Sequence, residues 1–180
     1  MEDLSLHVLD IAENSVRAGA KNISILVVEN VGEDCLTIEI RDDGKGMSAE
    51  NVERAADSSY TTRKNARAGM GLALLKEAAE MAKGRLELHS VPNSGTTVRA
   101  TFQLSSVERK PLGNMAETIT AILATENQVN VFYRHSRGGK SITFDSQHAE
   151  NQLGDILLGS IEALSLVRTF LEQEESSLTQ

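Results

Sequence analysis

The chain has 180 residues, of which 40% are hydrophobic, 3% are aromatic and one is a cysteine, and its formal net charge is −8. This length suffices for one compact domain, or for one domain with a small appendage. The single cysteine, Cys35, excludes an intramolecular disulfide and a cysteine-cluster metal site. The negative charge and the scarcity of aromatic side chains argue against binding of nucleic acid. No apolar run reaches the roughly 20 residues of a membrane span, so we expect a cytoplasmic protein without a membrane segment.

The first part of the chain predicts a helix, a hairpin and a short second helix. Apolar residues recur at helical spacing over 4–18, and a glycine follows them as a stop signal. Apolar and polar residues alternate over 22–31 and over 35–41, which predicts two strands joined by a turn. A glycine-rich turn over 42–46 then leads to a short helix that Ser48 caps.

The middle of the chain predicts a loop, a long helix and a second hairpin. Residues 57–69 are small and polar and show no periodicity, which predicts a mobile loop. A helical pattern covers 71–83, and a glycine ends it. Strands are predicted over 85–90 and over 97–104, with a Pro-Asn-Ser-Gly turn between them.

The last third of the chain has a different character, and we place a boundary near residue 107. A core domain would cover 1–107, and a small C-terminal α/β extension would cover 108–180. The extension is predicted to hold, in order, a helix over 115–124, strands near 129–135 and 140–145, and a helix over about 160–174 that dissolves into a polar tail.

Four residues of the first predicted helix share one polar face, because they are spaced three or four apart: His7, Asp10, Glu13 and Asn14. One interpretation is a solvated helix face. The other is a metal and acid–base site, since an amide oxygen together with phosphate oxygens suits magnesium. A carboxylate one turn earlier could orient an attacking water or hydroxyl.

Two glycine motifs are candidates for nucleotide binding. In the turn that begins at Asp42, a buried carboxylate could accept a hydrogen bond from an exocyclic amine such as that of adenine. Gly69 and Gly71 open onto a helix start, whose free N–H groups can bind anions. A Rossmann site is excluded because no strand leads directly into these glycines, and the lysine of a P-loop is missing.

The order and spacing of these motifs resemble a known superfamily. Glu13-Asn14-Ser15, Asp42-x-Gly44-x-Gly46, Gly69-x-Gly71-Leu72 and Gly95-Thr96 resemble the N, G1 and G2 boxes and the late Gly-Thr of the gyrase, histidine kinase and MutL (GHKL) ATP-binding superfamily. The stretch from Glu13 to Ala20 is especially similar to MutL proteins. The whole chain is also similar to small stand-alone bacterial ATP-binding proteins.

The resemblance implies a role for each matching position. Asn14 would ligate Mg²⁺, and Asp42 would bind the adenine amine. Further residues would contact the nucleotide: Gly44, Gly46 and Thr96 around the base, Gly69, Gly71 and Leu72 around the phosphates, and Thr61, Thr62, Arg63 and Lys64 from the loop 57–69, which would close as a lid.

Catalysis is where the sequence departs from the superfamily. Hydrolysing members carry a glutamate four residues before the magnesium asparagine, and here that position is Asp10, whose side chain is one methylene shorter. Glu13 is the rival candidate for the base. The reduced reach of Asp10 predicts slow hydrolysis, while ATP binding is expected to be intact.

The resemblance predicts an α+β fold of the Bergerat type, a two-layer sandwich with a mixed sheet and helices on one face. It implies a magnesium-dependent ATP-binding protein, a nucleotide-gated switch or slow kinase-like ATPase that acts on an unidentified protein partner. One alternative is a protein serine/threonine kinase similar to the anti-sigma-factor kinases, and another is a non-catalytic interaction module. Because only a few residues precede the first helix, we do not expect a self-contained sensor kinase.

Overall fold

The computed structural model describes residues 3–56, 70–125, 129–153 and 157–178. Six helices are present in this part of the chain: α1 Leu4–Arg17, α2 Ala49–Ala56, α3 Met70–Met81, α4 Met115–Leu123, α5 Ser146–Leu153 and α6 Ile161–Leu178. Six strands accompany them: β1 Asn22–Asn30, β2 Cys35–Asp42, β3 Arg85–Val91, β4 Gly95–Gln103, β5 Asn130–Arg137 and β6 Lys140–Asp145.

The six strands form one sheet in the order β3-β4-β2-β1-β5-β6. Four neighbouring pairs are antiparallel, and β1 and β5 are parallel. In the register of the central strands, Ile25 lies opposite Ile40 on one side and Tyr133 on the other. The predicted mixed sheet is therefore confirmed.

Alternation along the strands places their apolar side chains on one face of this sheet. Ile23, Ile25 and Val27 of β1 are buried, and the residues between them face outward. The helices cover the apolar face: α1 contacts α3 and α4, and α4 contacts α6. The two-layer α+β sandwich predicted from the sequence is confirmed, and the helix layer includes α4 and α6 of the C-terminal part.

Helix α1 is fixed at both ends. Asp3 caps its first turn by accepting a hydrogen bond from the N–H of Leu6 at 3.1 Å, and Gly19, with φ +79°, follows its last turn. The N–H groups of the first two helical residues donate to the carbonyls of Pro111 and Leu112. The segment after the predicted boundary thus holds in place the helix that carries the candidate magnesium residue.

The C-terminal part differs from the sequence prediction in two respects. Helix α5 was not predicted, because its segment lacks an apolar stripe; among the side chains of α5 that the structure describes, Ala149 is the hydrophobic one that packs against the core. The prediction that the last helix dissolves at residue 174 is wrong, since α6 continues to Leu178, which is buried. Among the described residues, no helix is long and apolar enough to cross a bilayer.

Candidate nucleotide site

A cavity of about 260 Å³ lies where α1 and α3 meet the ends of β2 and β4. Its wall contains five of the residues that the sequence predicts for nucleotide binding: Asn14, Asp42, Gly46, Leu72 and Thr96. The remaining lining residues are mostly apolar: Ile11, Ala18, Met47, Ala55 and Val98, with Ser15, Arg17 and Lys45. An apolar cleft with a few converging polar groups is typical of a small-molecule site.

Asp42 is the buried carboxylate of this cavity, with 9% of its surface exposed. Its Oδ2 accepts a hydrogen bond from the Ser15 hydroxyl at 2.7 Å, and its Oδ1 accepts one from the N–H of Gly44 at 2.8 Å. Each carboxylate oxygen can accept a second hydrogen bond. These two hydrogen bonds therefore fix the carboxylate and leave it able to accept a hydrogen bond from a ligand.

The neighbouring Asp43 has a structural role instead. Its Oδ1 accepts hydrogen bonds from the backbone N–H groups of Lys21 and Asn22 at 2.7 and 2.9 Å, and its Oδ2 accepts one from the Asn22 side chain at 2.6 Å. Burial opposes ionisation, but these donors hold the pKa of Asp43 below its ordinary value. Of the two adjacent carboxylates, Asp42 alone lines the cavity.

The glycine turn after Asp42 packs tightly against the hairpin of β3 and β4. Gly46 has φ +61°, and a Cβ there would lie 2.0 Å from the carbonyl oxygen of Val91. A side chain at this position would therefore force the two turns apart. The Ser90 hydroxyl accepts from the N–H of Met47 at 2.8 Å and lies 2.9 Å from the Thr96 hydroxyl, which links Thr96 to this turn.

Asn14 lines the cavity, and its amide oxygen accepts a hydrogen bond from Arg17. The Arg17 guanidinium donates to Asn14 Oδ1 at 3.2 Å and to Glu13 Oε2 at 2.7 Å. The Glu13 side chain is 42% exposed and does not line the cavity. The structure thus brings Asn14 to the predicted site and directs Glu13 away from it.

Asp10 lies against the first turn of α3. A Cβ on Gly71 would lie 3.1 Å from both Cβ and Oδ2 of Asp10. Gly71 thus leaves room for the carboxylate beside the start of a helix, where unpaired N–H groups attract negative charge. Asp10, unlike Glu13, is directed towards the helix terminus that the sequence predicts for the phosphates.

Five predicted site residues lie outside the described residues: Thr61, Thr62, Arg63, Lys64 and Gly69. Conversely, the sequence did not assign Ser15, Arg17, Lys45 and Met47 to the site, although all four line the cavity. Ile11, Ser15 and Ala18 recur at helical spacing, and Asn14 lies beside them on α1. This spacing is the sequence signal from which Ser15 could have been predicted as a lining residue. No comparable pattern marks Lys45 or Met47.

Comparison with known proteins agrees with this geometry. The family of histidine kinase-, DNA gyrase B- and HSP90-like ATPases matches residues 2–106. The sensor protein kinase WalK of Staphylococcus epidermidis is 33% identical over 95 residues, which are 50% of this chain and 16% of that protein. WalK of Staphylococcus aureus is equally similar, over 50% of this chain and 23% of its own length.

A solved structure is also similar. The ATPase domain of Aquifex aeolicus MutL, in complex with ADP, superposes with a TM-score of 0.49 and 16% identity, over 80% of this chain and 64% of that one. The family match alone covers more than half of the chain. The chain therefore belongs to the family of histidine kinase-, DNA gyrase B- and HSP90-like ATPases, and it carries an ATP-binding domain, which confirms the resemblance found in its sequence.

Proposed function

We propose that this protein binds ATP with Mg²⁺ in the cavity between α1, α3 and the sheet, and that it is a slow kinase-like ATPase whose nucleotide state controls a protein partner in the cytoplasm. The observation that supports this most is Asp42, a buried carboxylate that two hydrogen bonds fix in the wall of the cavity. Burying a carboxylate without a cationic partner costs free energy, so its presence in the wall of a cavity favours a role in ligand binding.

Adenine fits the chemistry of this cavity. Its 6-amino group donates hydrogen bonds, which the remaining acceptor capacity of Asp42 can receive, and its ring can pack against Ile11, Met47 and Val98. Guanine carries a carbonyl oxygen at the corresponding position, and a carboxylate repels it. The site should therefore prefer ATP to GTP.

Magnesium fits the donors present, provided that the nucleotide shares in binding it. The described residues contain no cluster of three or more His, Cys, Asp or Glu side chains that could hold a metal by themselves. Mg²⁺ commonly takes one or two protein oxygens and completes its shell with waters and phosphates. Asn14 Oδ1 would be the protein ligand, after Arg17 releases it, and the ion would neutralise phosphate charge.

Asp10 would act as the carboxylate that orients the attacking group, because it lies beside the helix terminus proposed for the phosphates. If the attacking group is water, the protein is an ATPase. If it is a hydroxyl of a bound partner, the protein is a serine/threonine kinase, and the same carboxylate would serve. Phosphate transfer from labelled ATP to candidate partners separates these two activities.

Calorimetric titration with ATP and GTP, each with and without Mg²⁺, tests the proposal. We expect ATP to bind more tightly than GTP and Mg²⁺ to strengthen ATP binding in the parent protein. Asn14→Ala should remove the effect of Mg²⁺ and keep the preference for ATP. Equal affinities for the two nucleotides would refute the role of Asp42, and an undiminished magnesium effect in Asn14→Ala would refute the role of Asn14.

A further inference from the structure

One face of the sheet is open to solvent in the part of the chain that the structure describes. The alternation that buries every second residue of β1 against the helices turns Ser24, Leu26 and Val28 to the other face. Val28 is 42% exposed, and Phe132 on the neighbouring strand β5 is 36% exposed. This surface, the open face, consists of the outward side chains of the six strands. It is therefore available for contact with another molecule.

The middle of the open face carries no charge. Strand β1 lies between β2 and β5, and its outward side chains are Ser24, Leu26 and Val28. A sheet face that stays in water usually presents polar side chains. Contiguous exposed apolar surface is instead typical of interaction sites. The apolar strip that Leu26 and Val28 form thus indicates a contact surface along β1.

Opposite charges flank this strip. In the register of the sheet, Leu26 lies opposite Glu39 of β2 on one side and Arg134 of β5 on the other, so the three side chains point to the same face. The side chains of Glu39 and Arg134 form no hydrogen bond or ion pair with any described residue. An unpaired carboxylate and an unpaired guanidinium therefore stand on the two sides of β1.

The neighbouring row has a guanidinium and an aromatic ring in the same two places. Ser24 lies opposite Arg41 of β2 and Phe132 of β5, and the three residues line a hollow of about 370 Å³. The carboxylates that line the same hollow, Asp43 and Asp145, accept hydrogen bonds from backbone N–H groups. The Arg41 side chain has no hydrogen bond or ion pair within the described residues. A guanidinium is attracted to the face of an aromatic ring, so these two groups are complementary.

A two-fold axis that runs parallel to β1 and above it makes the open face complementary to itself. Such an axis places β1 over the partner's β1 and β2 over the partner's β5, with the rows of the sheet kept in register. Glu39 then faces Arg134 of the partner subunit, and Arg41 faces the partner subunit's Phe132. The apolar strip of β1 meets its own equivalent at the axis. Each of these contacts occurs twice.

The open face is large enough for a stable dimer. Strand β1 is the middle one of the five strands from β4 to β6, which are six to nine residues long. With strands about 4.8 Å apart and about 3.3 Å per residue, these five strands cover roughly 600 Å² in flat projection. Specific interfaces bury about 800 Å² of accessible surface per partner, to which projecting side chains contribute. Two such sheets pack face to face about 10 Å apart.

We propose that the open face binds a second copy of this chain in a symmetric dimer, in which the two sheets pack face to face about β1 and Glu39 pairs with Arg134 of the partner subunit. Strand β2 contributes Arg41 to the dimer and the next residue, Asp42, to the nucleotide cavity. Because that cavity lies on the opposite face of the sheet, the dimer leaves it accessible. The dimer is independent of the function proposed for the cavity.

Sedimentation velocity of the full chain without nucleotide, across the micromolar range, tests the proposal. We expect the parent protein to form dimers. Glu39→Arg and Arg134→Glu should each raise the dissociation constant of the dimer about tenfold or more, because like charges then face each other across the interface. The double variant, in which the two charges are exchanged, should dimerise as the parent does.

Glu87→Arg is the matched control. Glu87 lies in the same row as Glu39, but on β3, which extends beyond the partner's edge strand in the proposed dimer. Its reversal should leave the dimer unchanged, and thermal unfolding checks that each variant folds. If Glu39→Arg does not fold, the comparison of Arg134→Glu with Glu87→Arg decides. A monomeric parent, a dimer that neither single reversal weakens, a double variant that stays dissociated, or equal weakening by Glu87→Arg would show the proposal to be wrong.

Discussion

Asp10 and Glu13 lie one turn apart on α1, yet their surroundings are different. Asp10 packs against Gly71 at the start of α3, whereas Glu13 forms an exposed ion pair with Arg17. We therefore expect Asp10→Asn to lower single-turnover ATP hydrolysis by about 10²- to 10⁴-fold, the usual effect of losing a general base, with ATP affinity unchanged. Glu13→Gln is the control. If Glu13→Gln abolishes turnover and Asp10→Asn does not, the base is misassigned.

The burial of His7 lowers the stability of the folded protein at acid pH. Its side chain is fully buried, and neither ring nitrogen has a hydrogen-bond partner within the described residues. Burial, with a contribution from the positive charge of Lys110, lowers the pKa of His7 to about 4. The unfolded chain, whose histidine has an ordinary pKa, therefore binds more protons than the folded chain between pH 4 and 6.5.

From this we predict that the free energy of unfolding decreases as the pH falls from about 6.5 to about 4. His7→Leu should reduce this dependence, and it should stabilise the protein at neutral pH by about 1–3 kcal/mol because it removes unsatisfied buried polar atoms. Urea unfolding at several pH values measures both effects, with His148→Leu on the exposed side of α5 as the control. A less stable His7→Leu protein with the parent's pH dependence would contradict the prediction.

Helix α6 is attached to the sheet by a buried polar network. The His135 imidazole bonds Glu29 of β1 and Glu175 of α6, and the Tyr133 hydroxyl donates to Glu175. Arg137 also contacts Glu29. The network places two carboxylates around one imidazole that is 3% exposed. Loss of the charge on His135 would leave these carboxylates incompletely compensated in the interior.

The pH dependence of this network has the opposite sign to that of His7. Because the pKa of His135 is raised to about 9, its stabilisation is complete below the ordinary histidine pKa and is lost as the pH rises from 6.5 through 9. We expect His135→Gln to destabilise the protein by up to about 3 kcal/mol at pH 6.5, and the difference from the parent to shrink by pH 9. His89→Gln, exposed on β3, is the control. A difference that does not change with pH would refute the charged state of His135.

The sequence predicted most elements because their periodicity is local. The alternation of Ile23, Ile25 and Val27 and the apolar stripe of α1 depend on neighbours along the chain. The end of α6 could not be predicted, because residues 174–177 are polar and Glu175 is held by partners about 40 positions away. The hydrogen bond between Ser15 and Asp42 likewise joins two distant segments, so the box motifs located Asp42 without revealing what fixes it.

At the scale of the whole molecule, the sheet continues across the predicted boundary near residue 107. Strand β5 pairs with β1 along eight residues, and α4 packs against α1. The family match ends at residue 106, and the strands and helices that follow it belong to the same sheet and the same helix layer as the matched residues.

The central claim is that Asp42 recognises the adenine of ATP. Calorimetric titration of ATP into Asp42→Asn and Asp43→Asn tests it most directly, because both variants remove one carboxylate charge from adjacent positions and only Asp42 lines the cavity. We predict that Asp42→Asn weakens ATP binding about 10- to 100-fold, the equivalent of a hydrogen bond to a charged group. Asp43→Asn should bind ATP as the parent does. Equal weakening in both variants, or none in Asp42→Asn, would contradict the account.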